Sequence, residues 1–410
     1  MLHGLLRKLI RVGDLTVRSP GGRTERYGDG TGTPVQVAIS GRGARRIALN
    51  PQLGLGEAFM DGDIRVERGT LWDLLDIVGR NQAQREQPVR GPFGRLLRDA
   101  GRRLDQWNDR RTARRNVAHH YDLSYDLYRR FLDADMQYSC AYFSRPGMSL
   151  DEAQAAKKAH LASKLRLEPG MSVLDVGCGW GGLALELAAR WGVRVLGVTL
   201  SEEQLAVARR RAEAAGLADQ VRFSLTDFRD VEGPFDRIVS VGMFEHVGVP
   251  NYPAYFAAIR RLLQPDGLAV VHSIGRAGPP ASTSPWIKKY IFPGGYLPAL
   301  SETLAAVEDS GFWTTDIEVL RLHYAETLRN WRERFLAARA EIADLYDERF
   351  CRMWEFYLAG AELAFRHGDQ MVFQMQLATR IDAAPITRDY MVDAERADQR
   401  SRRGGLQAAE

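Results

Sequence analysis

Asp175, Gly177, Gly179 and Gly181 occupy alternate positions in VLDVGCGWGG, residues 173–182. Their types and spacing describe a ligand cradle. An apolar run ending at Asp175 reads as a buried parallel strand. The glycines break it, and LALELAARW then resumes at helical spacing. Glycines at a strand-to-helix turn bring the backbone against a ligand and leave the first helical amides free to donate. A dinucleotide fold uses the same turn. Here the acid precedes the glycines, as D-x-G-x-G-x-G. That order suits S-adenosylmethionine, whose charged amino-acid end lies beside the carboxylate. S-adenosylmethionine is the expected cofactor, with a dinucleotide or an empty Rossmann turn as the alternative.

Further candidates sit where later strands should end. VRVLGVTLS closes near Thr199, where many nucleotide folds place a ribose-binding acid. This chain offers Thr199, Ser201 and Gln204 instead, with Glu202 and Glu203 nearby. Ser201 and Gln204 also spell a helix capping box, so a purely structural role competes with cofactor contact. Asp227 follows VRFSLT at the place for an acceptor of the adenine amino group, and Phe228 stands ready to cover the ring. After the fourth strand, VGMFEHVG puts Phe244, Glu245 and His246 at the carboxyl edge of the sheet, where open α/β folds bind ligands. No D/N-P-P-Y/F sequence is present, which argues against methylation of DNA-base nitrogens. His272 ends the fifth strand in VVHSIG; taken alone it reads as a hydrogen-bonded core histidine. Upstream, residues 118–143 gather Tyr121, Tyr125, Tyr128, Tyr138 and Tyr142 with His119 and His120. Aromatic faces attract a sulfonium, although ordinary packing accounts for most of these rings.

The elements that must hold these residues alternate. Strands are expected near 172–176, 193–199, 221–226, 235–241 and 267–273 with helices between them, which implies a parallel sheet covered on both faces. Ser149 and Glu152 form a capping box for the helix that follows them. Residues 279–298 are too rich in Pro, Gly and aromatics to be regular. Aromatic helices follow over 326–366, then the strand-like VFQMQLA. Near the start, LTVRSPGG and VQVAISG read as strands, LGLGEAFMDGDI and TLWDLLDIVG as helices, together a small α+β domain. The expected division is an N-terminal domain at 1–80, a basic helix at 81–116, a catalytic domain at 117–390 and a polar, mobile tail at 391–410.

The chain has 410 residues, 45% hydrophobic and 26% charged, with net charge +4. This suits a soluble globular protein of two domains. Cys140, Cys178 and Cys351 have no CxxC spacing, which argues against a disulfide framework or zinc site and fits a reducing cytoplasm. No apolar run is long enough to span a bilayer. The opening MLHGLLRKLIRVG has no continuous apolar core and reads as a short amphipathic helix on a surface. Between Gln82 and Asn116 ten arginines stand against four acids, with Phe93, Leu96, Leu97, Ala100, Leu104 and Trp107 at helical spacing. That pattern fits either a helix on an anionic lipid surface or a solvated linker helix. No RNA- or DNA-binding motif accompanies the arginines.

YDLSYDLY, MQYSCAYF, VLDVGCGWGG, VTLSEEQ, MFEHVG, HSIG, YIFPGGYLP and HYAETLRNW, in that order, resemble the cyclopropane-fatty-acyl-phospholipid synthases and mycolic acid cyclopropane synthases. The likeness is strong over about 110–380, and the N-terminal part resembles a lipid-binding domain. It implies a Rossmann-like class I S-adenosylmethionine-dependent methyltransferase sheet with inserted and C-terminal helices. It also implies methylene transfer to cis double bonds of phospholipid acyl chains, through a carbocation deprotonated by bound bicarbonate. The implied bicarbonate site is Cys140, Glu245, His272, Ile274 and Tyr324, with Glu245 acting through His272 or a shared proton. The implied cofactor contacts are Tyr138, Ser139, Asp175, the glycine loop, Thr199, Gln204, Asp227 and Phe228. A phospholipid bilayer as partner, peripheral attachment at the inner membrane and a possible homodimer follow from the same likeness. One departure is Ala361, where many members carry a cysteine within YLxGC. Rival readings are an enzyme giving methyl- or methylene-branched chains, a small-molecule O- or N-methyltransferase, and a non-catalytic lipid-binding protein.

Overall fold

The computed structural model describes residues 2–83 and 124–407, with side chains through 400. The arginine-rich stretch lies almost wholly outside the described residues, as do His119, His120 and Tyr121. The chain divides into two compact units, each drawn from three segments.

The second unit comprises Arg103–Pro280, Gly294–His323 and Met371–Glu410. Its sheet is built from β5 (Ser172–Val176), β6 (Arg194–Thr199), β7 (Val221–Leu225), β8 (Phe235–Val241), β9 (Leu263–Arg276), β10 (Trp313–Leu320) and β11 (Gln370–Ala378), in the order β10-β11-β9-β8-β5-β6-β7. The strands from β5 to β9 pair in parallel, whereas β10 and β11 are antiparallel. Successive residues along each strand serve opposite faces. Leu174, Val176, Ile238 and Val271 join one core with Phe244, Tyr252 and Phe256. Val173, Val195, Val239 and Val270 join the other with Leu161, Leu187 and Ala208. Burial on both faces explains the near-continuous apolar runs. β6 and β7 extend from β5 on one side and β8 and β9 on the other, so β5 is the topological switch point, where open α/β sheets bind ligands.

The polar residues from 391 to 407, expected as part of a mobile tail, are helical, within Asp389–Gln407. His160 stands between Glu395 at 2.6 Å and Glu318 at 2.7 Å, and Arg190 pairs with Asp398. This helix is fastened by charge more than by an apolar stripe, so hydropathy does not reveal it.

The first unit comprises Met1–Arg102, Ala281–Pro293 and Tyr324–Gln370. β1 (Leu15–Arg18), β2 (Thr24–Tyr27), β3 (Val35–Ile39) and β4 (Ile64–Arg68) form a sheet in the order β2-β1-β3-β4. The opening helix, Leu2–Leu9, does not spend its apolar face on an outside surface: Leu2 is buried in this unit's core, with Leu6 and Leu9 packed against it. Ala359 and Leu363, from the helix Glu348–His367, share that core with Leu15, Val37 and Leu74. The core therefore does not close within 1–80, and the linear division read from the sequence is corrected accordingly.

A six-residue helix, Pro285–Tyr290, sits inside the stretch read as irregular. It is fixed by a close approach: a Cβ added at Gly56 would lie 2.3 Å from Trp286 Nε1, and Trp286 is buried. Gly56→Ala must displace the indole, and overpacking of this kind costs about 1–3 kcal/mol. A lowered urea midpoint with unchanged slope is expected; an unchanged midpoint counts against this contact.

Candidate active site

β5 delivers Asp175 to the switch point. The residue is 1% exposed, and among the described residues its Oδ2 has no hydrogen-bond partner. Burial raises its pKa to about 7, against the pull of the Lys157 ammonium. Gly177, Gly179 and Gly181 all have positive φ, at 82°, 54° and 83°. A Cβ at Gly181 would meet Phe223 at 2.6 Å, so that glycine serves packing between the turn and β7. A Cβ at Gly179 would meet nothing within 4 Å, so its exposed side is open to a ligand. An orphaned buried carboxylate oxygen beside an open glycine turn fits S-adenosylmethionine, with its cationic amino group at Asp175.

The flanking candidates are placed as follows. Tyr138 lies edge-on to the buried Tyr128 at 5.0 Å, and Tyr128 packs on Trp180 of the glycine turn at 4.9 Å. Ser139 Oγ accepts from Lys157 Nζ at 2.9 Å, and its carbonyl accepts from Gln154 Nε2 at 2.9 Å. Thr199 Oγ1 donates to Gln204 Oε1 at 2.9 Å, and Ser201 Oγ accepts the Gln204 amide at 3.3 Å. The capping half of the expectation is thus present, with Gln204 already engaged at the end of β6. Asp227 is buried and forms a two-point pair with Arg229, at 2.8 and 2.5 Å. Phe228 lies edge-on to Tyr255 at 5.4 Å.

At the ends of β8 and β9 the structure brings Glu245, His272 and Ile274 together. Val241 is in register with His272, and Gly242 N donates to His272 O at 2.9 Å. Glu245 Oε1 accepts the Ile274 amide at 2.6 Å; among the described residues Oε2 is buried without a partner. Burial pushes Glu245 up to about 7, opposed by the Ile274 N–H. His272 is held well below its ordinary range, first by burial and then by the nearby cations Lys157, Lys164 and His160. It is the neutral form that must be considered. The expected link from Glu245 to His272 is not the one formed: His272 Nδ1 lies 3.1 Å from Gln374 Nε2. An amide N–H donated to Nδ1 leaves the proton on Nε2, where it can be given to an anion. Cys140 is buried, Sγ faces the Ala141 carbonyl at 3.3 Å, and Lys157 acts electrostatically on both Cys140 and His272. Tyr324 belongs to the first unit, where it is buried edge-on to Trp331 and against Phe365; its role rests on the resemblance alone. Ala361 is half-buried on the helix Glu348–His367, with no thiol beside it in the sequence.

His246, beside Glu245, is half-buried, and its loss of solvation holds it down to about 4, so it stays neutral. Sequence reasoning missed Lys157 and Gln374. A signal existed for the first: Leu150, Ala153, Lys157, Leu161 and Lys164 fall at helical spacing on one buried face, where a lysine has no ordinary business. Gln374 carried none, being one polar residue in a strand buried on both faces.

Comparison with known proteins agrees with this geometry. The family model described as mycolic acid cyclopropane synthetase matches residues 108–375. The cyclopropane-fatty-acyl-phospholipid synthase of Escherichia coli K12 is 43% identical over 338 residues, 82% of this chain and 86% of that protein. A tuberculostearic acid methyltransferase of Mycobacterium tuberculosis is 40% identical over 352 residues, 82% of this chain and 80% of that one. A crystal structure of a mycolic acid cyclopropane synthase complexed with SAH and CTAB superposes with a TM-score of 0.62 at 36% identity, covering 67% of this chain and all of that one.

Proposed function

The chain belongs to the mycolic acid cyclopropane synthetase family, and from that premise we propose that it uses S-adenosylmethionine to cyclopropanate cis double bonds in the acyl chains of membrane phospholipid. The reading is carried by one observation: a buried carboxyl with a partnerless oxygen, a neutral histidine and a backbone amide meet at the carboxyl edge of β8 and β9. When bound, the cofactor supplies an electrophilic methyl group, whose transfer to an alkene leaves a carbocation on the acyl chain. Closing a three-membered ring then requires a base to take a proton from the new methyl.

This chain's residues support a small bound base over a side chain. Glu245 is tied to the Ile274 amide, and His272 is fixed through Nδ1, so each is placed to orient a small base more readily than to travel to the substrate. Bicarbonate would fit such a setting: His272 Nε2–H would donate to it, and Glu245, held protonated part of the time near pH 7 by burial, would donate as well instead of repelling it. The apolar shell excludes water that would capture the cation. No helix among the described residues is long and apolar enough to cross a membrane. In this reading the lipid is reached peripherally, with the arginine-rich stretch as the anionic-lipid contact, on the strength of its charge and the family likeness.

A second reading gives methyl- or methylene-branched chains; the 40% identical tuberculostearic acid methyltransferase favours it. Incubation with vesicles of cis-unsaturated phospholipid and S-adenosylmethionine, followed by proton NMR of the lipid, is expected to show upfield ring protons. Vinylidene or branched-methyl signals in their place establish the second reading. Methylation of soluble acceptors alone overturns both.

A further inference from the structure

Lys157, on the helix Leu150–Leu165, is fully buried. Its Nζ donates to Gln137 Oε1 at 2.6 Å and to Ser139 Oγ at 2.9 Å. Both acceptors are neutral, and among the described residues no carboxylate forms an ion pair with this ammonium. Its neighbours differ. Lys158 pairs with Asp135 at 2.6 Å and Glu186 at 2.9 Å, and Lys164 with Glu318 at 2.5 Å. Asp133 and Asp135 act on Lys157 through space, opposed by Lys158, but neither carboxylate pairs with it directly. A buried charge with no direct ion pair is costly, so such a group is held for an anion that arrives later.

Two further observations identify the anion. Asp175 is the complementary case, a buried carboxyl whose Oδ2 lacks a partner; it feels the Lys157 charge yet makes no ion pair with it. A buried anion and a buried cation held apart are the mould of a zwitterion. Ser139 adds direction. Because its Oγ accepts from Lys157, its own hydroxyl hydrogen is turned away and is available to donate. We infer that Lys157, directly and through Ser139, holds the carboxylate of the cofactor's amino-acid end while Asp175 takes its ammonium group. This rests on the S-adenosylmethionine reading above, not on the identity of the product.

The test compares two ligands by calorimetry. S-adenosylhomocysteine carries the zwitterion; 5′-methylthioadenosine has the same adenosine and sulfur without it. Lys157→Met is expected to weaken S-adenosylhomocysteine binding at least about tenfold, the loss of about one charge-assisted hydrogen bond, and to change 5′-methylthioadenosine binding by less than about twofold. Ser139→Ala, which removes only a hydroxyl, is expected to give a smaller loss with the same selectivity. That second variant decides the matter if Lys157→Met does not fold. Burial draws Lys157 down to about 8, so S-adenosylhomocysteine affinity of the unaltered protein should fall above pH 8 while that of 5′-methylthioadenosine does not. Equal losses for both ligands mean that the lysine serves the fold and overturn the inference. So does unchanged S-adenosylhomocysteine affinity with lost turnover, which would assign the lysine to the inorganic anion. If the unaltered protein binds neither ligand, the cofactor reading itself fails.

Discussion

Glu245→Ala is expected to lower turnover on vesicle phospholipid by about 10²–10⁴-fold, the range for losing a group that manages a proton in the transition state. His272→Ala should fall in the same range, and S-adenosylhomocysteine affinity should stay within about threefold for both. The asymmetry follows from placement. Glu245 stands in the turn after β8 and His272 within β9, four residues before its end at Arg276, tied to Ile274 and Gln374, whereas the zwitterion mould is formed by Asp175, Lys157 and Ser139. Glu245→Gln keeps a neutral donor of the same shape and should retain more activity than alanine. Since burial holds Glu245 near 7, its protonated form is lost as pH climbs through 7. The ratio of unaltered to Glu245→Gln turnover should therefore change across that pH, measured at fixed bicarbonate. Parallel losses of turnover and cofactor affinity in the alanine variants would show that these residues serve the fold.

Asp175→Asn is the second large effect. Removing one partner of a buried charge pair costs about 2–5 kcal/mol, which is about 30-fold to several thousandfold in affinity for S-adenosylhomocysteine. The pH dependence has a definite sign. The Asp175 pKa is raised to about 7 in the free protein, and a cationic amino group beside it favours the ionised form. Binding must then expel a proton: about half a proton per site at pH 7, with affinity falling about tenfold per unit as pH drops below 7. Calorimetry in buffers of different ionisation enthalpy reads the proton directly. Affinity that does not change between pH 5 and 7 would sink the assignment. The same shift has a cost in the free protein. A carboxyl whose folded pKa lies above its unfolded value of 3.8 favours the folded state below about pH 4, and that contribution is lost as pH rises through 7. Ligand binding restores it.

How much of this was legible in the sequence depends on what kind of force holds each element. The β5 turn, the carboxyl edges of β8 and β9 and the Ser149 cap were readable because each follows from a local rule: apolar runs buried on both faces, glycines at positive φ, and a serine three residues before a glutamate. The helix Asp389–Gln407 was not, because Glu395 and Asp398 dock it through partners more than 200 residues away. Lys157 was passed over although its spacing with Leu150, Ala153 and Leu161 puts it on the buried face of its helix; what the buried charge meets there is written in no local rule. The tie from Glu245 to the Ile274 amide, in place of His272, depends on two strand ends meeting, which no spacing reports. Resemblance supplied the residues of the proposed anion site; the packing supplied the protonation states of Glu245 and His272.

The first unit's apolar centre is assembled from Leu15, Val37 and Leu74 near the start and Ala359 and Leu363 near the end. During synthesis at about 5–20 residues per second, the opening portion therefore leaves the ribosome many seconds before its last partners exist. Every strand from β5 to β10 emerges in that interval. The segment holding Leu15, Val37 and Leu74 must wait, with apolar surface uncovered, for a helix translated long after it, and it is in this window that a nascent chain of this kind most needs a chaperone.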